Sequence, residues 1–130
     1  MIVIDASAMV EALVGRQVDD ELLDALQGDL HAPHLLDVEV MSVLRGLTLS
    51  GKLKPRAAEQ ARTDHFAFAI ARYEFAGLAD RVWQLRNNHT TYDASYLTLA
   101  EALATPLYTC DHKLASGGHT AQVRIFPRSH

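Results

Sequence analysis

Apolar residues along the chain fall into short β-branched runs and longer segments with helical spacing. The run Ile2-Val3-Ile4 is typical of a buried strand, and we predict that it lies at the centre of a parallel sheet. The pattern then predicts, in order, helices at 5–14 and 19–26, an extended piece at 30–32, helices at 35–49 and 55–68, a weaker strand at 70–75, helices at 78–86 and 92–104, a strand at 106–110, a helical turn at 111–115 and a strand at 122–126. Strands separated by helices predict an α/β layered fold with a largely parallel sheet, in a single domain over residues 1–130.

The composition is that of an ordinary globular domain. Hydrophobic residues make up 48% of the chain and charged residues 22%, and no segment approaches the ~20 apolar residues needed to cross a bilayer. The residues before Asp5 lack the basic and apolar regions of a signal peptide. The single cysteine, Cys110, cannot form an internal disulfide, which fits a reducing compartment. We therefore expect a cytoplasmic protein with no membrane association.

Two acids directly follow predicted strands. Asp5 ends the first strand, and Asp111 follows the strand that ends at Cys110. Each also precedes a helical segment, where an Asp side chain commonly caps the helix and contributes ~1 kcal/mol. The carboxyl ends of parallel strands lie at one edge of the sheet, where α/β folds bind ligands. Capping and ligand binding therefore both remain open, and the two acids would converge if their strands are neighbours.

Glu39 lies on a helical face with apolar neighbours. We expect Glu39 within the stripe that faces the interior. The residues that share its face by helical spacing are Leu35, Leu36, Val43, Gly46 and Leu47. An ionised carboxylate in that environment is costly unless it is paired or binds a metal. Asp37 is expected to point to the opposite side as a solvated acid of the first helical turn.

Asp93 has both a functional and a structural interpretation. It shares its helical face with Leu97, Ala100 and Ala104, so the face is apolar. The stretch Thr90-Thr91-Tyr92-Asp93 also matches a capping box, in which the Asp93 side chain folds back onto the Thr90 amide. For this residue alone, capping is at least as good an explanation as function.

Four such acids are costly to gather without a cation. Oxygen ligands without a Cys or His cluster favour Mg²⁺, with Mn²⁺ also suitable, over zinc. The chemistry that fits is metal-assisted hydrolysis of a phosphodiester. Without the four acids the formal net charge of −4 becomes −4 + 4 = 0. Charge therefore neither favours nor excludes a nucleic-acid substrate.

Other polar residues give weaker signals. His31 and His34 lack the spacing of a helical zinc pair and are expected on the surface, and Cys110 is expected to be a small buried hydrophobe. Solvated surface charge is the usual role of basic residues. Three of them could instead contact RNA phosphates: Arg45, Arg86 and Lys113.

Four segments of the chain together resemble the motifs of PIN-domain nucleases. They are Val3-Ile4-Asp5-Ala6-Ser7, Leu36-Asp37-Val38-Glu39-Val40, the stretch from Thr91 to Ala100, and the stretch from Pro106 to Asp111. Within the third, the pattern Tyr-Asp-Ala-x-Tyr-x-x-Leu-Ala is especially characteristic of VapC-type toxins. The four segments occur in the same order and at compatible separations, from the first strand almost to residue 130.

This resemblance implies a three-layer PIN-like domain and a Mg²⁺-dependent endoribonuclease toxin of a VapBC-type toxin–antitoxin module. It implies RNA as the substrate, a cognate VapB-like antitoxin that blocks the acidic site, and a homodimer. It also implies which residues form the site. The catalytic and metal-binding residues would be Asp5, Glu39, Asp93 and Asp111, with Ser7 and Thr109 in a supporting role.

Two other functions remain open at this stage. The chain could be a regulatory module that binds protein within a toxin–antitoxin complex and has little catalytic activity. It could also be an aspartyl-phosphate phosphohydrolase of the haloacid dehalogenase kind. That chemistry requires a second Asp two residues after the nucleophile, whereas this chain has Ser7 two residues after Asp5.

Overall fold

A five-stranded sheet forms the centre of the protein in the computed structural model, which describes all 130 residues. The order across the sheet is β3-β2-β1-β4-β5, and every pairing is parallel. The first strand is therefore central, as predicted. The strands are β1 (Ile2–Ile4), β2 (Leu30–Pro33), β3 (Ile70–Tyr73), β4 (Leu107–Thr109) and β5 (Val123–Ile125).

Helices cover both faces of this sheet. Helices α1, α3 and α4 pack against one another, whereas α6 packs with α5 and lies on β1, β2 and β4. The predicted three-layer α/β architecture is confirmed. The helices are α1 (Ala6–Val14), α2 (Asp20–Ala25), α3 (Leu35–Leu49), α4 (Pro55–Ala67), α5 (Ala79–Gln84) and α6 (Thr91–Leu103), with 3₁₀ helices at Ala76–Leu78 and His112–Ala115.

The central strand shows why the sheet needs two layers of helices. Successive side chains of a strand point to opposite faces, yet Ile2, Val3 and Ile4 are all buried. Leu36 of α3 and Leu97 of α6 are fully buried as well, so helices on both sides contribute to the core. The buried hydrophobic residues form one cluster of 28. None of the helices combines the length and the apolar character that a bilayer crossing requires.

The pairing of β1 with β4 sets the position of the two strand-end acids. Val3 pairs with Leu107 and Ile4 with Tyr108. Because both strands run in the same direction, Asp5 and the residues after Tyr108 emerge side by side at the carboxyl edge. The predicted convergence of these two strand ends is confirmed.

The prediction for Asp37 as a solvated acid is wrong. Its carboxylate accepts hydrogen bonds from the Arg72 guanidinium, with Nε at 2.8 Å and Nη2 at 3.0 Å. The fully buried His65 has Nε2 at 2.8 Å from the same carboxylate. Asp37 therefore ties α3 to α4 and β3. Its ionic partners lie 28 and 35 residues further along the chain, beyond the reach of helical periodicity.

The prediction for His31 as a surface residue is also wrong. His31 is buried on β2, and its Nδ1 lies 2.7 Å from the hydroxyl of Tyr73 on the neighbouring β3. A strand covered on both faces buries polar and apolar positions alike. His34, by contrast, is exposed at the start of α3, and Cys110 is buried, both as predicted.

Candidate active site

A polar cavity of about 230 Å³ lies at the carboxyl edge of β1 and β4. All four acids singled out in the sequence line it, although they come from the end of β1, from α3, from α6 and from the segment after β4. The complete lining is Asp5, Ala6, Ser7, Glu39, Ser42, Val43, Asp93, Tyr96, Asp111, Arg128 and His130.

Asp5 is held from three sides. Its Oδ1 accepts the Ala8 amide at 3.0 Å, which is the helix cap that the sequence suggested, and the Ser7 hydroxyl at 2.7 Å. Its Oδ2 accepts the Thr109 hydroxyl at 2.5 Å. Asp5 thus caps α1 and lines the cavity at the same time, so the two interpretations coexist. These bonds fix the orientation of a carboxylate that is only 6% exposed.

Thr109 and Ser7 connect the two strand ends. The Thr109 hydroxyl accepts the Asp111 amide at 2.9 Å while it donates to Asp5. The Ser7 hydroxyl accepts the Cys110 amide at 2.8 Å. Asp111 in turn caps the following 3₁₀ helix through the Lys113 amide at 3.0 Å. Both hydroxyl residues therefore contact the acids directly, while their part in catalysis stays a prediction.

Glu39 lines the cavity from a different position on α3 than predicted. The buried stripe of α3 is formed by Leu36, Val40 and Leu44, and Glu39 lies beside it in a half-buried position. The placement of Glu39 within the interior stripe is therefore wrong. The buried Tyr96 of α6 donates its hydroxyl to Glu39 Oε1 at 2.6 Å. Sequence reasoning gave Tyr96 no role, although the residue lies inside the quoted Tyr-Asp-Ala-x-Tyr pattern.

The capping box proposed around Asp93 is only half formed. The Thr90 hydroxyl accepts the Asp93 amide at 3.1 Å, but the Thr90 amide makes no return bond to the Asp93 carboxylate. The structural explanation therefore accounts for Thr90 and leaves the Asp93 side chain to the cavity that it lines.

The acids repel one another in a continuous series. Burial raises the pKa of Asp5 to about 6 despite its hydrogen bonds, and the charge of Glu39 adds to the rise. Burial also raises the pKa of Glu39, and Asp93 contributes. For Asp93, burial and then the charge of Asp111 raise the pKa, while His89, Lys113 and the Thr90 side chain oppose them only partly. A cation at this point would relieve both the desolvation and the repulsion.

The donor set suits a hard divalent cation. Carboxylate oxygens are the ligands that Mg²⁺ and Mn²⁺ prefer. The cavity lining contains no cysteine and only one histidine, His130. No three His, Cys, Asp or Glu side chains converge closely enough to hold an ion as they stand. Like charges keep the carboxylates apart, so ligation requires these side chains to move towards a common point. The identity of the ligands therefore stays a prediction.

Of the basic residues proposed for RNA, none lines the cavity. Arg45 is exposed on α3, and Arg86 stacks at 4.8 Å over the ring of Trp83. The cavity instead has Arg128 and His130, which the sequence analysis missed. Both follow the last strand in a segment without periodicity, so no sequence signal pointed to them.

The chain resembles known proteins in sequence over nearly its whole length. The family model described as "PIN domain" matches residues 2–118. The chain belongs to the PIN-domain family. Among its relatives, the VapC ribonuclease Mb0985 of Mycobacterium bovis is 39% identical over 98% of this chain and 100% of the relative. Ribonucleases VapC12 and VapC1 of Mycobacterium tuberculosis are 34% and 42% identical, over 96% and 88% of this chain and 98% and 88% of their own lengths. The chain is thus a VapC-type member of the PIN-domain family.

Two solved structures share the fold at lower sequence identity. The protein PAE2754 of Pyrobaculum aerophilum superposes with a TM-score of 0.65 at 20% identity, covering 87% of this chain and 81% of its own. Mycobacterium tuberculosis VapC20, described as a sarcin–ricin loop cleaving toxin, gives 0.62 at 16% identity, over 92% and 97%. At these identities the likeness concerns the fold alone.

Proposed function

We propose that this PIN-domain protein is a Mg²⁺-dependent endoribonuclease toxin of a VapBC-type module. One observation carries the proposal: four carboxylates from four separate elements line a single cavity at the carboxyl edge of the sheet. The names of the relatives, which are VapC ribonucleases over nearly the whole chain, support RNA as the substrate. Mn²⁺ is a suitable substitute for Mg²⁺ at a site of this chemistry.

Asp5, Glu39, Asp93 and Asp111 would hold the cation. When bound, the ion would polarise the phosphoryl group and lower the pKa of an attacking water. Asp5 is the best oriented of the four, because hydrogen bonds to both of its oxygens fix its plane. Tyr96 orients Glu39 in the same way through its hydroxyl. Such partners of ligands set ligand geometry and commonly affect metal affinity 10–100-fold.

The half-buried acids are suited to accept a proton from water. Glu39 and Asp93 both have a pKa raised above its usual value by burial and by a neighbouring acid. A carboxylate whose pKa is raised is a stronger base than one in free solution. Either residue could therefore take the proton of the attacking water, while the other three acids retain the ion.

The proposal includes the partners that a VapC-type toxin requires. A VapB-like antitoxin would cover the acidic cavity in the resting complex, and two copies of the toxin would pair as a homodimer in the cytoplasm. The similarity to VapC ribonucleases over nearly the whole chain supports the antitoxin as a partner. Co-purification with the product of the adjacent reading frame, followed by light scattering of the complex and of the free toxin, tests both partners.

Cleavage of RNA by the purified, antitoxin-free chain tests the activity. We expect Mg²⁺-dependent cutting that EDTA abolishes and that Asp5→Ala and Asp93→Ala remove. Asp24→Ala is the matched control, because Asp24 is an exposed acid on α2 that does not line the cavity. Cleavage that persists in both cavity variants would place the activity elsewhere. Absence of any cleavage by the wild-type chain, together with retained antitoxin binding, would favour the regulatory module instead.

A further inference from the structure

The segment after β5, residues 126–130, returns across the carboxyl edge of the sheet to the cavity. The Phe126 amide donates to the carbonyl of Thr109 at 2.8 Å, which keeps the segment beside β4. The carbonyl of Pro127 then lies 4.0 Å from the Cys110 sulfur. Two residues further on, the segment reaches α1, and Arg128 and His130 line the acidic cavity. We call residues 126–130 the return segment.

Glu11 of α1 holds the return segment in place. The Glu11 side chain is fully buried, and its Oε1 accepts the Ser129 amide at 2.6 Å. The Ser129 hydroxyl donates to Oε2, and Nδ1 of His130 lies 2.8 Å from Oε1. Burial opposes ionisation, but these bonds hold the pKa of Glu11 below its usual value. A buried carboxylate is thus satisfied entirely by the return segment.

Gly15 leaves the space that this contact needs. A Cβ built at Gly15 would lie 2.5 Å from the Glu11 carbonyl oxygen and 2.5 Å from the Glu11 carboxylate. The first contact is with backbone, so the clash could not be relieved by a side-chain rotation alone. Next to Gly15, the Gln17 amide donates to the Ser129 hydroxyl at 3.0 Å. The end of α1 is therefore shaped around Ser129.

Arg128 is the only Arg or Lys residue that lines the cavity. It is exposed and makes no hydrogen bond or ion pair within the chain. Arg124, four residues earlier, is engaged with Glu21 at 2.9 Å and lies outside the cavity. A guanidinium suits a phosphate group geometrically, since it can donate two parallel hydrogen bonds. In a cavity of four acids, such a group can hold a phosphate that the carboxylates would otherwise repel.

We propose that Arg128 binds a phosphate of the RNA substrate beside the acidic cavity, and that Glu11 positions Arg128 by fixing Ser129 and His130. This inference rests on the proposed ribonuclease function. It assigns Arg128 a contact with substrate and Glu11 a positioning role, because Glu11 acts only through the return segment.

Arg128→Ala tests the substrate contact. Arg56→Ala is the matched control, because Arg56 is exposed on α4 and does not line the cavity. The probes are a short single-stranded RNA of mixed sequence, bound in EDTA, and cleavage of the same RNA in Mg²⁺. We expect Arg128→Ala to raise Kd and KM about tenfold while kcat changes little. The slope of log Kd against log salt should become shallower by about 0.7. Arg56→Ala should behave as wild type.

Glu11→Ala tests the positioning role. It should raise KM as Arg128→Ala does, and Glu11→Gln should restore most of the loss because an amide oxygen still accepts the Ser129 amide. The double variant Glu11→Ala/Arg128→Ala should bind RNA no worse than Arg128→Ala alone. Hydrogen exchange of the Ser129 amide should be faster in Glu11→Ala, which reports on the contact without using activity.

The outcomes separate this inference from the proposed function. RNA cleavage that is the same in Arg128→Ala and wild type would overturn the substrate contact and leave the ribonuclease intact. Additive losses in the double variant would overturn the positioning role of Glu11, since they would show that it acts independently of Arg128. A wild-type chain that neither binds nor cuts RNA would overturn the proposed function and this inference with it.

Discussion

The Thr109 hydroxyl donates a hydrogen bond of 2.5 Å to Oδ2 of Asp5, across 104 positions of sequence. The same oxygen accepts the Asp111 amide at 2.9 Å. A single fully buried side chain therefore holds together the two acids that end β1 and follow β4. The pair is possible because β1 and β4 are parallel neighbours.

Thr109→Val should impair the site while preserving the β-branched shape of the residue. Burial raises the pKa of Asp5 to about 6, and the Thr109 hydrogen bond is the largest effect that lowers it. Without that bond, the acid limb of the pH–activity profile should move to higher pH by roughly half to one unit. Thr98→Val is the control, because the buried Thr98 hydroxyl has no hydrogen-bond partner. An unchanged acid limb in Thr109→Val would contradict this coupling.

The stability of the metal-free protein should depend on the ionisation of Asp5. The pKa of Asp5 is higher in the folded chain, at about 6, than its usual value of 3.8. The folded state therefore binds the proton more tightly, so stability is favoured below pH 4 and is lost as the pH rises through 6. The loss should reach about 3 kcal/mol above that range. Thermal unfolding in EDTA should show it in wild type and in Asp24→Asn. Asp5→Asn should show a smaller loss, because the pKa values of Glu39 and Asp93 are raised as well.

A divalent cation should stabilise wild type more than a variant of the site. Metal that binds only the folded state contributes about 2.7 kcal/mol at a concentration of 100 Kd. We expect Mg²⁺ or Mn²⁺ to raise the melting temperature of wild type and of the exposed-acid control Asp24→Asn by similar amounts. Asp93→Asn should show a smaller rise. Equal rises in all three proteins would count against Asp93 as a ligand.

Tyr96→Phe should weaken metal binding without removing a carboxylate. The Tyr96 hydroxyl donates to Glu39 at 2.6 Å, and its loss leaves Glu39 both more basic and less well oriented. We expect the Mg²⁺ or Mn²⁺ affinity measured by calorimetry to fall about tenfold. Tyr92→Phe changes the same helix at an exposed residue and should bind metal as wild type does. Identical affinities in the two variants would show that the hydrogen bond does not serve the metal.

Asp37→Asn should reduce stability and leave the chemistry of the folded enzyme unchanged. Asp37 accepts two bonds from Arg72 and lies against the fully buried His65. Loss of its charge removes the ionic partner of Arg72 and a hydrogen-bond partner of His65, at an expected cost of about 1–3 kcal/mol in unfolding free energy. Glu59→Gln removes an exposed ion pair with Arg62 and should change stability by less than about 1 kcal/mol. Equal effects of the two substitutions in denaturant titrations would refute the structural role of Asp37.

The elements and their layering could be predicted because their causes are local. Ile2-Val3-Ile4 is apolar at every position, as a strand covered on both sides must be, and α3 was predicted with the same limits that the structure shows, Leu35–Leu49. The convergence of Asp5 and Asp111 also followed, since it required only that two parallel strands be neighbours. In each case the local pattern of apolar residues is enough to place the element in the fold.

The features that were missed depend on contacts between distant residues. Helical spacing placed Glu39 in the interior stripe, whereas packing on the sheet selected Leu36, Val40 and Leu44 and left Glu39 at the cavity. Tyr96 is hydrogen-bonded to Glu39, which lies 57 residues away in sequence. Arg128 is positioned by the contact of Glu11 with Ser129, which joins residues 118 positions apart. No local pattern records such pairings.

The neighbouring positions of β1 and β4 have a consequence for synthesis on the ribosome. Asp5 emerges from the ribosome about a hundred residues before its partner Thr109 and the acid Asp111. At ~5–20 residues per second, that interval is on the order of ten seconds. Throughout it, the nascent chain lacks one of the four acids and the strand that holds Asp5 in place. The acidic cavity therefore stays incomplete until the segment with Thr109 and Asp111 has been translated.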